Sequence, residues 1–140
     1  MRAIILELAA VACALAVVGA AVGSGRDKGV LVPPPEAAAE NFLRALTEHR
    51  WAQARSHLAA DLRGTASRDL AALEEGLERG RGPVAVVQGE DAAVAGDTGT
   101  ARAWIGFKTG RMLLDLPVRR ERGLWKVAGL DALRHLAAGG

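Results

Sequence analysis

The chain has no tyrosine and a single cysteine, Cys13, among its 140 residues. Cys13 lies in an apolar N-terminal run, so no disulfide can form within the segment that follows and no thiolate nucleophile is available there. Histidine is scarce as well. His49, His57 and His135 have neither cysteine partners nor an HExxH spacing, so they form no recognisable zinc set, and neither a metal nor a cofactor is expected. A surplus of positive charge is also missing. From Gly29 onward the chain carries 15 Lys and Arg against 14 Asp and Glu, a net of +1. That balance argues against a nucleic-acid binder, which needs cations clustered on one face to displace phosphate counterions.

Apolar residues, by contrast, make up half of the chain, enough for one packed domain once a targeting segment is set aside. Residues 3–23, AIILELAAVACALAVVGAAVG, carry one charge, Glu7, and as a helix would span about 31 Å, enough to cross a bilayer. Counted from Leu8 to Gly23 the run is about 24 Å, nearer to a long signal-peptide core, and Gly19, Ala20 and Ala21 suit a signal peptidase. Residues 1–24 therefore read as a transmembrane anchor or a signal segment. The run outlasts the ~7–15 residues of an ordinary signal core, which favours the anchor. The expected location is the membrane, with the domain on the extracytoplasmic side; secretion after signal cleavage is the alternative. Residues 25–35 end in Pro33, Pro34 and Pro35 and read as a stiff, extended linker.

From Glu36 the pattern takes a 3.6 period. Ala39, Phe42, Leu43 and Leu46 share one face of a first helix, with Pro35 suited to its first position. Trp51, Ala54, Leu58, Ala59 and Leu62 align along a second, with Gly64 past its end. Ser67 is placed to cap a third, whose stripe is Leu70, Leu73 and Leu77. After Pro83 the period becomes two, with turn signals at Gly96-Asp97, Thr109-Gly110 and Arg122-Gly123. Four antiparallel strands follow, over 84–95, 99–108, 111–120 and 124–131. The fold class is α+β: three helices packed on a bent, four-stranded antiparallel meander.

Strand phase assigns the faces. A two-residue turn at Thr109-Gly110 pairs Phe107 with Met112, Ile105 with Leu114, Ala103 with Leu116 and Ala101 with Val118, all apolar. The stretch RRERGLWKV, residues 119–127, then reads as a hairpin tip in which Arg120 lies beside the Trp125 ring, while Arg119, Glu121 and Arg122 point to water. On the opposite face the same phase places Trp104, Leu113, Pro117, Leu124, Ala128 and Leu130, with Trp104 opposite Asp115. This is apolar for an exposed sheet, with an aromatic near its centre and charge toward its edge, the arrangement of an interface core and rim. Leu133 and Leu136 offer a second way to cover it, if the residues after 131 fold back as a helix.

Three helices followed by a meander, with PEAAAENFLRALTEHRWAQARSHLAADLR early and GDTGTARAWIGF and RERGLWKVAGLD late, resemble the nuclear transport factor 2-like superfamily from about Pro35 to Asp131. The likeness is to its small exported bacterial members of unassigned function, and it gives a domain over 36–131 and a short tail over 132–140. The resemblance implies a sheet wrapped around the helices as a cone whose mouth can hold a ligand. It also implies a homodimer, or a docked protein partner, through the outer sheet face, here Trp104, Leu113, Leu124, Ala128 and Leu130. Phe42, Met112, Leu114 and Trp125 are the candidate pocket lining for a small apolar ligand. Enzymatic members use a carboxylate base inside the cone, often with a tyrosine. This chain lacks the tyrosine, and its mid-strand acid Asp115 falls on the outer face. His57 or His49 with Asp61 of the second helix is the remaining acid–base candidate, His57 and Asp61 being four apart. No catalytic residue is assigned, and a non-enzymatic protein-interaction domain is the leading expectation.

Overall fold

The computed structural model describes residues 32–139. The anchor or signal segment over 1–24, and most of the linker, lie outside the described residues. No helix among the described residues is long and apolar enough to cross a membrane.

Helix α1, Pro35–Thr47, starts where the sequence places it, with proline at its first position and Glu36 in the first turn, where a carboxylate faces the positive end of the helix dipole. Its buried stripe is Ala38, Ala39, Phe42, Leu43, Ala45 and Leu46. Helix α2 is only Trp51–Ser56, followed by an extended segment and a 3-10 turn over Ala60–Leu62. The long second helix is therefore interrupted. Leu58 pairs in parallel with Val127: the Val127 N–H donates to the His57 carbonyl and the Ala59 N–H to the Val127 carbonyl, both at 2.8 Å. Those bonds cover a sheet edge that would otherwise leave its polar backbone unpaired. Helix α3, Ser67–Arg81, buries Leu70, Leu73 and Leu77 as expected. Ser67 is not its cap, because Ala66 holds that position and the Ser67 hydroxyl accepts a bond from Arg55 at 2.6 Å.

The strands are β1 Val84–Ala95, β2 Thr98–Phe107, β3 Gly110–Glu121 and β4 Leu124–Val127, in one antiparallel sheet of order β1-β2-β3-β4. Register shifts at Val84/Val86 and Gly89/Asp91 break the regularity of β1, as bulges do where a sheet curls. Arg122 and Gly123, at φ 53° and 80°, form the two-residue turn expected between β3 and β4. Val118 accordingly pairs with Val127 and Arg120 with Trp125.

The β2–β3 register differs from the expectation by two residues. The turn is Lys108-Thr109, so Ile105 pairs with Met112, Ala103 with Leu114 and Ala101 with Leu116. A shift of two keeps every side chain on its face. Ala101, Ala103, Ile105, Leu114, Leu116 and Val118 are all buried on the concave side, against α1. Asp131–Ala137 is a helix, α4; of the short tail over 132–140 and the folded-back helix that the sequence offered, the helix forms, and Leu133 and Leu136 enter that core. The helix packs on α3 so closely that a Cβ on Gly76 would lie 2.7 Å from the Cβ of Ala137. The architecture is thus α+β, four helices against a curled antiparallel sheet.

Candidate functional site

The convex face of the sheet carries the largest departure from ordinary surface chemistry. Trp104 on β2 pairs with Leu113 on β3 and with Gln88 on β1, while Arg102 pairs with Asp115. The two-residue shift therefore removes Asp115 from beside the tryptophan and puts a leucine there. Val86 lies over Gly106, where an added Cβ would meet its Cγ1 at 2.4 Å. Val86 is 54% exposed and Leu113 41% exposed, on either side of a half-buried Trp104.

Charge rims this group. The Arg111 guanidinium carbon sits 4.5 Å from the Trp104 ring centroid, and the indole N–H donates to Glu90 at 2.5 Å. Farther along, Arg102 donates to Asp115 at 3.1 Å, with Asp91 beyond it at 4.0 Å. The bond that Arg102 donates to Asp115, then the charges of Asp115 and Asp91, hold the Arg102 pKa above its ordinary value.

Three of the expected interface residues do not belong to this group. Leu130 is 1% exposed, because β4 stops at Val127 and the alternation never reaches it; it caps α4 and turns into the core. Ala128 is half-buried, its N–H donating to the Pro117 carbonyl at 2.7 Å. Leu124 is 45% exposed but pairs with Glu121, near the opposite end of β3 from Leu113. Helix α4 leaves Val86 and Leu113 exposed, since its apolar side chains enter the core instead.

The residues proposed to line a pocket are spread along the concave face. Phe42 and Leu114 are buried in the core. Met112 and Trp125 are half-buried against it, rather than fully buried. Met112 pairs with Ile105 and Trp125 with Arg120, so about 26 Å of extended strand separates their positions along β3.

At the hairpin, Arg120 lies 5.6 Å from the Trp125 ring centroid, as the phase requires. It also donates to Asp97 from Nε and Nη2 at 3.0 and 2.7 Å, tying down the β1–β2 turn. Arg119 and Glu121 do not point freely to water: Arg119 donates to Asp61 at 2.6 Å, and Glu121 accepts the Ala60 N–H at 3.1 Å.

His57 and Asp61 are not helix neighbours, since α2 ends at Ser56, and Asp61 is engaged with Arg119. Burial, then the nearby Lys126 ammonium, lowers the His57 pKa. One set of potential metal ligands converges among the described residues, His49, Glu74 and Glu78, in the helical layer. Sequence spacing alone gave no such set. The available signal was Glu74, which falls within the Leu70, Leu73, Leu77 stripe and should by its position be apolar.

No family model matches the chain, and no curated protein matches it in sequence. Solved structures do share its fold. A candidate NTF2-like transpeptidase from Campylobacter jejuni superposes with a TM-score of 0.56 at 17% identity, covering 69% of this chain and 99% of that one. A SEC-C motif containing protein from Rhodopseudomonas palustris gives 0.52 at 14% identity, covering 69% and 76%. At such identities the likeness concerns the fold, which hosts unrelated functions in different proteins.

Proposed function

We propose that this chain is a nuclear transport factor 2-like domain of the cone-shaped kind, tethered to the membrane on its extracytoplasmic side, that works without catalysis as a protein-interaction module and self-associates through the convex sheet face. The observation that carries the reading is the exposed Val86 and Leu113 on either side of a half-buried Trp104 at one end of that face, rimmed by Arg111, Glu90 and the Arg102–Asp115 pair. Water contact with such side chains is unfavourable, and burial against a second copy recovers about 25 cal/mol per Å² of apolar surface. The membrane location rests on the length of the apolar run over residues 3–23.

Catalysis is left out of the reading because the acid–base candidates do not meet: Asp115 faces outward with Arg102, and Asp61 pairs with Arg119 instead of His57.

Sedimentation of residues 29–140 tests self-association. A dimer is expected, and Trp104→Glu is expected to give a folded monomer with unchanged circular dichroism. A wild-type monomer at all concentrations overturns self-association, and recovery of a different protein on the same face after cross-linking in native membranes then identifies the occupant.

A further inference from the structure

Glu74 occupies a position that its helix reserves for an apolar side chain. It follows Leu70 and Leu73 and precedes Leu77 on the buried stripe of α3, and its side chain is 5% exposed. One carboxylate oxygen, Oε1, meets His49 Nε2 at 3.1 Å. The other, Oε2, is buried and has no hydrogen-bond partner. Leaving a buried polar atom unsatisfied costs about 1–3 kcal/mol, and more when the group is charged, so a His49–Glu74 pair alone accounts for half of this carboxylate.

The surrounding geometry is that of a ligand set. His49 follows the C-cap of α1, where its N–H donates to Leu46 and the Arg50 N–H to Ala45, the paired bonds of a Schellman motif. That position requires a left-handed backbone, which His49 adopts at φ 61° although glycine is the usual occupant. The imidazole is held further by stacking on Trp51, at 5.3 Å between centroids and 22° between planes. Nε2 is thereby presented to α3. Glu78, one helical turn beyond Glu74, adds a third donor, and the three ligand atoms lie within 4.8 Å of one another. In a tetrahedral zinc site with bonds of about 2.0–2.1 Å, ligand atoms are about 3.3 Å apart. The His49–Glu74 separation already matches that edge, and the exposed Glu78 can close the rest, at most about 1.5 Å, by a rotamer change.

We propose that His49, Glu74 and Glu78 form a binding site for a divalent transition-metal cation of the zinc type, bound by one imidazole nitrogen and two carboxylates. The imidazole selects zinc-like ions over magnesium and calcium, which prefer all-oxygen shells. Two carboxylates neutralise the ion, and a cation bound to the Glu74 carboxylate offsets the cost of burying it with only one oxygen paired. The His49 side chain is 58% exposed, so the ion enters from solvent and a fourth position stays open to water. Burial first, and then the adjacent Glu78, push the Glu74 pKa up to about 7, with His49 opposing. A doubly charged cation relieves the repulsion between the two carboxylates.

Calorimetric titration of the full-length chain with zinc at pH 7.5 tests the site. One ion per chain is expected, with affinity falling at least about tenfold in Glu74→Gln, Glu78→Gln and His49→Asn, where asparagine keeps the left-handed backbone. Zinc should also change the Trp51 emission, and the change should vanish in Trp51→Phe. The variants at Glu78 and His49 alter exposed side chains, so they carry the test if Glu74→Gln fails to fold. Saturable zinc binding equally strong in His49→Asn and Glu78→Gln places the ion elsewhere and overturns the proposal. The absence of saturable binding overturns it too.

Discussion

Leu113 and Glu74 invert the burial rule in opposite directions. On the convex sheet face a leucine is 41% exposed, while in the helical layer a glutamate side chain is 5% exposed. Neither inversion is needed for the fold. The concave partners of Leu113 already supply the core, and the Leu70, Leu73, Leu77 stripe already buries α3. An apolar group left wet and a charge left dry each cost free energy in the isolated domain. The two proposals above answer them differently, the first with a protein surface and the second with a cation.

The largest expected effect separates the two faces of β3. Leu116 is fully buried, and Leu116→Ala should cost about 2–5 kcal/mol in urea denaturation. Leu113→Ala, on the other face, should cost less than about 1 kcal/mol. Equal losses would mean that Leu113 is covered in the monomer, which ends its comparison with Glu74.

A smaller effect sharpens the other half. With zinc removed by a chelator, Glu74→Met continues the apolar stripe of α3 in a similar volume, and should raise stability by about 1 kcal/mol, since apolar replacements of buried charges are often stabilising. A loss of that size would instead make Glu74 a structural member of the helical layer in its own right.

The smallest effect lies at the sheet edge and concerns pH. His57 is held below its ordinary value of 6.5 by burial and then by Lys126. A depressed pKa means that the unfolded chain takes up the proton first. The stabilising contribution is therefore complete above pH 6.5 and is lost as pH falls through the folded value. His57→Gln should flatten the fall of the melting temperature just below that pH. An unchanged slope would assign the fall to other groups.

Much of the fold is legible along the chain. The apolar stripes of α1 and α3 and the β1–β2 and β3–β4 turns lie where periodicity and glycine place them, as does the inward phase of β2 and β3. The β2–β3 turn was displaced by one residue at each side, to Lys108-Thr109, yet the faces survived because alternation is unchanged by a shift of two. What was not legible follows from competition for backbone partners. His57 to Ala59 fit a helix by spacing, but the free edge of β4 offers them strand bonds instead. Leu130 continues the strand pattern by count, but the chain turns into α4 before reaching it.

The two inversions divide in the same way. The sequence by itself determined that a row containing Trp104 and Leu113 lies opposite the core, because period-two alternation is local and needs no knowledge of distant residues. Glu74 stands within the Leu70, Leu73, Leu77 stripe, but spacing alone assigned it no role. Only the tertiary structure decided that Leu113, and not Asp115, sits beside Trp104, since register depends on the turn chosen between the strands. Only the tertiary structure brought His49 to Glu74, 25 positions apart, because that meeting is set by the left-handed step after α1 and by the packing of α3 beneath it.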